Sequence, residues 1–117
     1  MKIFNCLFAL ALFGVSAFGQ ADQAFTATLS AAGTTTPVRV NAKDHTLQFN
    51  DVGTVSTCSI QLEGSLDDVN WSNLSGAQSC TSSTMFHVDG KAMTWVRANL
   101  TILTGGGSVA LFYRGAN

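Results

Sequence analysis

The sequence is poor in residues that break, charge or staple a chain, with one proline, 11% charged side chains, two histidines and three cysteines in 117 residues. Without a proline-rich or charged linker there is room for one domain at most, close to the size at which a single core sustains itself. Six cations against seven carboxylates leave no basic patch to neutralise phosphates, which excludes nucleic acid as a natural partner. The cysteines lack paired C-x-x-C spacing, and His45 and His87 do not cluster with them, so no zinc site is expected. No G-x-S-x-G elbow, H-E-x-x-H helix or phosphate loop occurs. The expectation is a non-enzyme with no catalytic residues, no metal and no cofactor.

Residues 1–19, "MKIFNCLFALALFGVSAFG", join one Lys to an apolar run from Ile3 to Phe18 and end on Ala17 and Gly19 at cleavage-site spacing. This reads as a secretory signal peptide, with a retained apolar arm as the rival. The run is shorter than the roughly 20 residues that cross a bilayer, so no membrane span is expected in the mature chain, residues 20–117. Cleavage removes Cys6 and leaves Cys58 and Cys80, which predicts one disulfide in an exported, cell-surface or periplasmic protein.

Beyond residue 20 apolar residues alternate instead of recurring every three or four, the mark of half-buried strands. Phe25, Ala27 and Leu29 share a face, as do Val38 and Val40, Leu47 and Phe49, and Cys58, Ile60 and Leu62. Val96, Ala98, Leu100 and Ile102 form the clearest stripe, opposite Arg97, Asn99 and Thr101. Val109 to Arg114 is apolar on both faces, as suits a central strand. Turn signals fall at Ala32 to Pro37, Asp51 to Gly53, Asp89-Gly90 and Gly105 to Gly107, and Asp89-Gly90 predicts a two-residue hairpin. The fold class is all-β: a single antiparallel β-sandwich, Ig-like or jelly-roll-like, of about seven or eight strands.

The stretch "EGSLDDVNW", Glu63 to Trp71, is dense in polar groups. It fails as a calcium loop, because Val69 stands two residues after Asp67 and no glycine follows. It is weak as a catalytic acid pair, which needs two carboxyls held across a cleft. A hairpin accounts for it: Ser65 and Asp67 accept hydrogen bonds from nearby amides, Asp68 and Asn70 tolerate left-handed φ, and Trp71 restarts the strand.

These residues resemble the E-G-S-x-D-G-x-x-W hairpin of small β-sandwich modules in phage virion proteins and some secreted bacterial proteins. They are also similar to the S-x-D-G-x-x-W hairpin of discoidin-like domains. The first likeness continues through "FHVDGKAMTWVRANLTILTGGGSV" and spans roughly residues 53 to 114, with Asp68 standing where the pattern prefers glycine. It implies a structural or adhesive part of a tail or capsid, without catalysis.

Two functions follow as expectations. One is an exported structural or interaction module of a cell surface, extracellular filament or virion-like assembly, with itself or a surface glycan or protein as partner. The other is a carbohydrate-binding module that stacks sugars on Trp71 and Trp95, with Asp67, Asp68, Asn70 and Asn73 bonding hydroxyls. Against the second, both indoles are expected to cap the ends of the core. Asn70, Asn73 and Asn99 open formal glycosylation sequons.

Overall fold

Period-two alternation becomes strand along most of the chain. The computed structural model describes residues 23–117, so the signal-peptide assignment for residues 1–19 lies outside the described residues. The strands are β1 (Gln23–Leu29), β2 (Gly33–Thr34), β3 (Val38–Ala42), β4 (Asp44–Val52), β5 (Thr57–Ser65), β6 (Ser72–Asn73), β7 (Gln78–Ser79), β8 (Thr84–Val88), β9 (Met93–Thr104) and β10 (Ser108–Ala116). Sheet A runs β1-β10-β4-β8; in sheet B, β9 and β5 pair at the centre, β2 and β3 flank β9, and β6 and β7 flank β5. With β2/β3 and β6/β7 each taken as one interrupted strand, eight strands form two antiparallel sheets of four and change sheet at every connection but the β5–β6 hairpin, the jelly-roll form of the expected sandwich. Among the described residues, no helix is long and apolar enough to cross a membrane.

The core fills the space between the sheets with Leu47, Phe49, Val109 and Leu111 from sheet A and Val40, Ile60, Leu62, Val96, Ala98 and Leu100 from sheet B. Each fully buried aliphatic or Phe side chain contributes about 1.5 to 3 kcal/mol. Cys58 and Cys80 are buried and disulfide-bonded, and the Cys80 amide donates to the Cys58 carbonyl at 3.1 Å. The bond therefore clips the irregular segment after β6 onto the central strand β5.

Two expectations about the strands are corrected. Asp89-Gly90 is not a hairpin, because β8 pairs β4 in sheet A while β9 pairs β5 in sheet B. Residues 89–92 carry the chain between sheets, with Gly90 left-handed at φ +75°. Pairing with β4 sets Phe86 against Phe49 in the core, which a β8–β9 hairpin would forgo. Ile102 leaves the apolar stripe and is exposed. The reason is a bulge: Ser59 opposes Ile102 and Ile60 opposes Leu100, so Thr101 is an extra residue and the alternation flips, sending Leu103 inward opposite Cys58.

The inner face of β4 also extends beyond Leu47 to His45, which is 1% exposed. Its Nε2 donates to the Lys91 carbonyl at 2.8 Å, leaving Nδ1 to accept from the Tyr113 hydroxyl at 2.6 Å. This pair satisfies two polar side chains inside the core and anchors the β8–β9 crossing. Burial pushes the Tyr113 hydroxyl well above its usual range. A side chain at Gly115 would stand 2.5 Å from that hydroxyl, so glycine is required there.

Candidate functional site

The β5–β6 hairpin forms as its residues dictate, with Glu63 opposite Asn73 and Gly64 opposite Ser72. Ser65 Oγ accepts the amides of Asp67 at 3.2 Å and Asp68 at 2.9 Å, and donates to Asp67 Oδ1 at 2.9 Å. Asp67 Oδ1 accepts the amides of Val69 at 2.9 Å and Asn70 at 2.8 Å, while Oδ2 accepts the Asn70 side-chain amide at 2.8 Å. The Asn70 amide foremost, then that of Val69, holds the Asp67 carboxyl well below the usual carboxylate range. Asp68 is left-handed at φ +62° and contributes backbone geometry. The apex is thus rigid, and it presents Leu66 and Val69, 70% and 75% exposed.

Behind the apex lies a cluster that sequence reasoning did not assemble. Register puts Glu63 opposite Arg97 on the outer face of sheet B. Arg97 Nε donates to Glu63 Oε1 at 2.7 Å, and Asn99 Nδ2 donates to Glu63 Oε2 at 2.9 Å. The guanidinium carbon of Arg97 sits 4.2 Å from the centroid of the Trp71 ring. Arg97 is therefore held by a buried carboxylate and an indole, a charge-assisted bond and a cation–π contact sharing one cation. Two rungs along the same face, Arg39 lies over Trp95 at 6.0 Å. The available signal was an acid and a base each placed singly on the polar face of a predicted strand.

The six residues singled out in the sequence divide. Trp71 and Trp95 share the outer face of sheet B, and both are half-buried. Neither belongs to the core, which corrects the expectation that both cap its ends; arginines supply each ring with a partner outside the core. Asp67 and Asn70 are engaged within the turn, and Asp68 is exposed. Asn73, on the edge strand β6, is exposed. Of the sequon side chains, those of Asn70 and Asn99 are hydrogen-bonded to Asp67 and Glu63. No group of three or more His, Cys, Asp or Glu side chains among the described residues could hold a metal ion.

The outer face of sheet A differs in kind. One cross-strand row reads Thr26, Phe112, Gln48 and Met85, and the next reads Ala24, Arg114, Thr46 and His87. Phe112 and Met85 are 41% and 50% exposed. A shallow groove of about 400 Å³ runs there, lined among others by Ala24, Thr26, Gln48, Phe112 and Arg114.

No protein-family model matches the sequence, and no curated protein matches it. Among solved structures, the chain is similar to the SPBc2 prophage-derived protein YomS, with 12% identity and a TM-score of 0.60 over 80% of this chain and 93% of that one. It also aligns with a protein of Bacillus endospore appendages, described as disulfide-linked pili, at 16% identity and a TM-score of 0.41 over 81% and 86% of the two chains. Chitosan-binding module 1 from a chitosanase/glucanase of Paenibacillus sp. IK-5 aligns at 15% identity and a TM-score of 0.46 over 84% and 71%. The first shows a shared fold; the other two overlap too loosely to carry an argument.

Proposed function

We propose that this chain is a non-enzymatic structural or interaction module, exported to a cell surface, an extracellular filament or a virion-like assembly. The observation that carries it is that its reactive groups are committed to its own fold. Asp67 holds a turn, Glu63 holds Arg97 and Asn99, and His45 holds Tyr113 and Lys91. Toward solvent the strand faces carry few charges and include exposed apolar side chains such as Phe112 and Met85, the material of contacts. The Cys58–Cys80 disulfide supports an oxidising compartment.

A second reading, carbohydrate binding, is favoured by Trp71 and Trp95 lying on one face beside the exposed Asn73. Sedimentation, cell-adhesion assays and negative-stain imaging of the exported protein, run beside a tryptophan-fluorescence titration across polysaccharides, test both. Self-association or adhesion with flat fluorescence supports the first; a saturable change lost in Trp71→Ala supports the second. A monomer that binds neither cells, glycans nor itself overturns both. Hydrolytic turnover abolished by changing Asp67 or Asp68 overturns the non-enzymatic assignment.

A further inference from the structure

An unpaired sheet edge is a template for another strand, and proteins that must stay monomeric blunt it with short strands, bulges, prolines or charges. Among the described residues, three of the four sheet edges are blunted or short. On one side of sheet B, β2 has two residues, and β3 follows Pro37, loses regular register between Arg39 and Ala42 and holds Asn41 at φ +47°. On the other side, β6 and β7 have two residues each. In sheet A, β8 has five residues and leaves the sheet at Asp89. The remaining edge, β1, pairs β10 without interruption from Gln23 to Leu29 and contains no charge, proline or bulge. Beside it a seam of about 290 Å³ between the two sheets is lined by Phe25, Leu29 and Val38, with Thr34 to Thr36.

We infer that β1 is an assembly edge that pairs antiparallel with β1 of a second copy of this chain, about a two-fold axis at Thr26. The inference rests on the interaction-module reading and names its partner. Thr26 is the midpoint of the seven-residue strand, so pairing about it engages Ala24 to Thr28. In that register Phe25 of one copy faces Ala27 of the other on the inner side, and Ala24 faces Thr28 on the outer side. At the inner rungs beside the axis bulky Phe25 meets small Ala27, and no like charges meet, so the middle of the strand is complementary to itself. Phe25 and Ala27 of the second copy extend the apolar lining of the seam, and the four-stranded sheet A becomes continuous between copies. Such a contact is isologous and closed, giving a dimer as the unit of any larger assembly.

The test uses the full exported chain. The wild type is expected to sediment as a dimer in the micromolar range. Thr26 is exposed, so Thr26→Lys leaves the fold and its circular dichroism intact while setting two ammonium groups opposite each other; dimerisation should weaken about fivefold or more. Thr26→Cys, with a mild oxidant, should give a reducible covalent dimer. A wild type that stays monomeric into the millimolar range overturns the inference, and glycan or cell binding by that monomer would leave the interaction-module reading standing. Self-association that survives Thr26→Lys but is lost in Met85→Lys also overturns it, moving assembly to the far side of sheet A. Loss of self-association together with all adhesion and glycan binding in the wild type overturns reading and inference together.

Discussion

At its hairpin end the outer face of sheet B is closed by its own side chains, whereas the outer face of sheet A is left to solvent. On sheet B, Glu63, Arg97, Asn99 and Trp71 satisfy one another, and the disulfide fastens the neighbouring irregular segment to β5. On sheet A the corresponding positions hold Thr26, Gln48, Phe112 and Met85, of which Phe112 and Met85 are exposed. The difference separates two tasks that a small sandwich must divide between equal surfaces. Specific side-chain bonding on one face holds the fold, and the unspent surface of the other is free to meet a partner.

The comparison breaks most severely where sheet B is held covalently. Replacing Cys58 and Cys80 together with Ala opens a loop of 22 residues and is expected to cost about 3 kcal/mol on the chain-entropy account. Urea titration should show a lower midpoint; an unchanged midpoint would place the hold on residues 66–83 in Leu74 and the β5 pairings instead.

Next in size is Arg97→Ala, which strands the Glu63 carboxylate at 8% exposure and uncovers Trp71. Breaking a buried pair costs about 3 to 5 kcal/mol, and because the Arg97 side chain is 24% exposed the expected loss is about 2 kcal/mol. The matched truncation on sheet A, Phe112→Ala, should change stability by about 0.5 kcal/mol or less while weakening any contact made by that face. Equal losses from the two would erase the distinction between the faces.

The strands and their inward residues were legible in the sequence because alternation is a local property: β1, β3 and β4 turn inward the residues that it assigns, partly buried in β1 and fully buried in β4 at Leu47 and Phe49. Pairing is not local. Asp89-Gly90 carries the same turn chemistry whether the chain folds back on itself or crosses to the other sheet, and only the competing partner β4 decides between them. Ile102 was misassigned for a similar reason, since a bulge is set by the opposite strand. The candidate site shows the same limit. Glu63, Trp71 and the Val96-Arg97-Ala98 run all belong to the resemblance, but the clamp joins residues 34 apart and exists only in the register of β5 on β9. The hairpin's side-chain bonds, which span two or three residues, were readable, although only Asp68 is left-handed and the strand restarts at Ser72, one residue past Trp71.

The hairpin also supplies the pH dependence. Asp67 is held below its usual range in the folded chain, so its contribution is fully present above the unfolded carboxyl value of about 3.9 and is lost as the pH falls toward the folded value. Melting temperatures of the wild type and Asp67→Asn should therefore differ at neutral pH and converge under strong acid. A constant difference down to pH ~2 would assign the effect to shape instead of charge.

The smallest expected effect is at Asp68, where the left-handed φ of +62° meets a residue with a Cβ. Glycine removes the strain of that conformation, about 1 kcal/mol, but enlarges the unfolded ensemble by a comparable amount. No hydrogen bond of the turn runs through the Asp68 carboxylate; its amide donates to Ser65 Oγ and is retained in any variant. Asp68→Gly should thus be neutral or stabilising by up to about 1 kcal/mol in thermal melts. A clear loss would mean that the exposed carboxylate interacts with something beyond the turn, and would move sheet B's hairpin from the class of surfaces that only hold the fold to the class that also meets a partner.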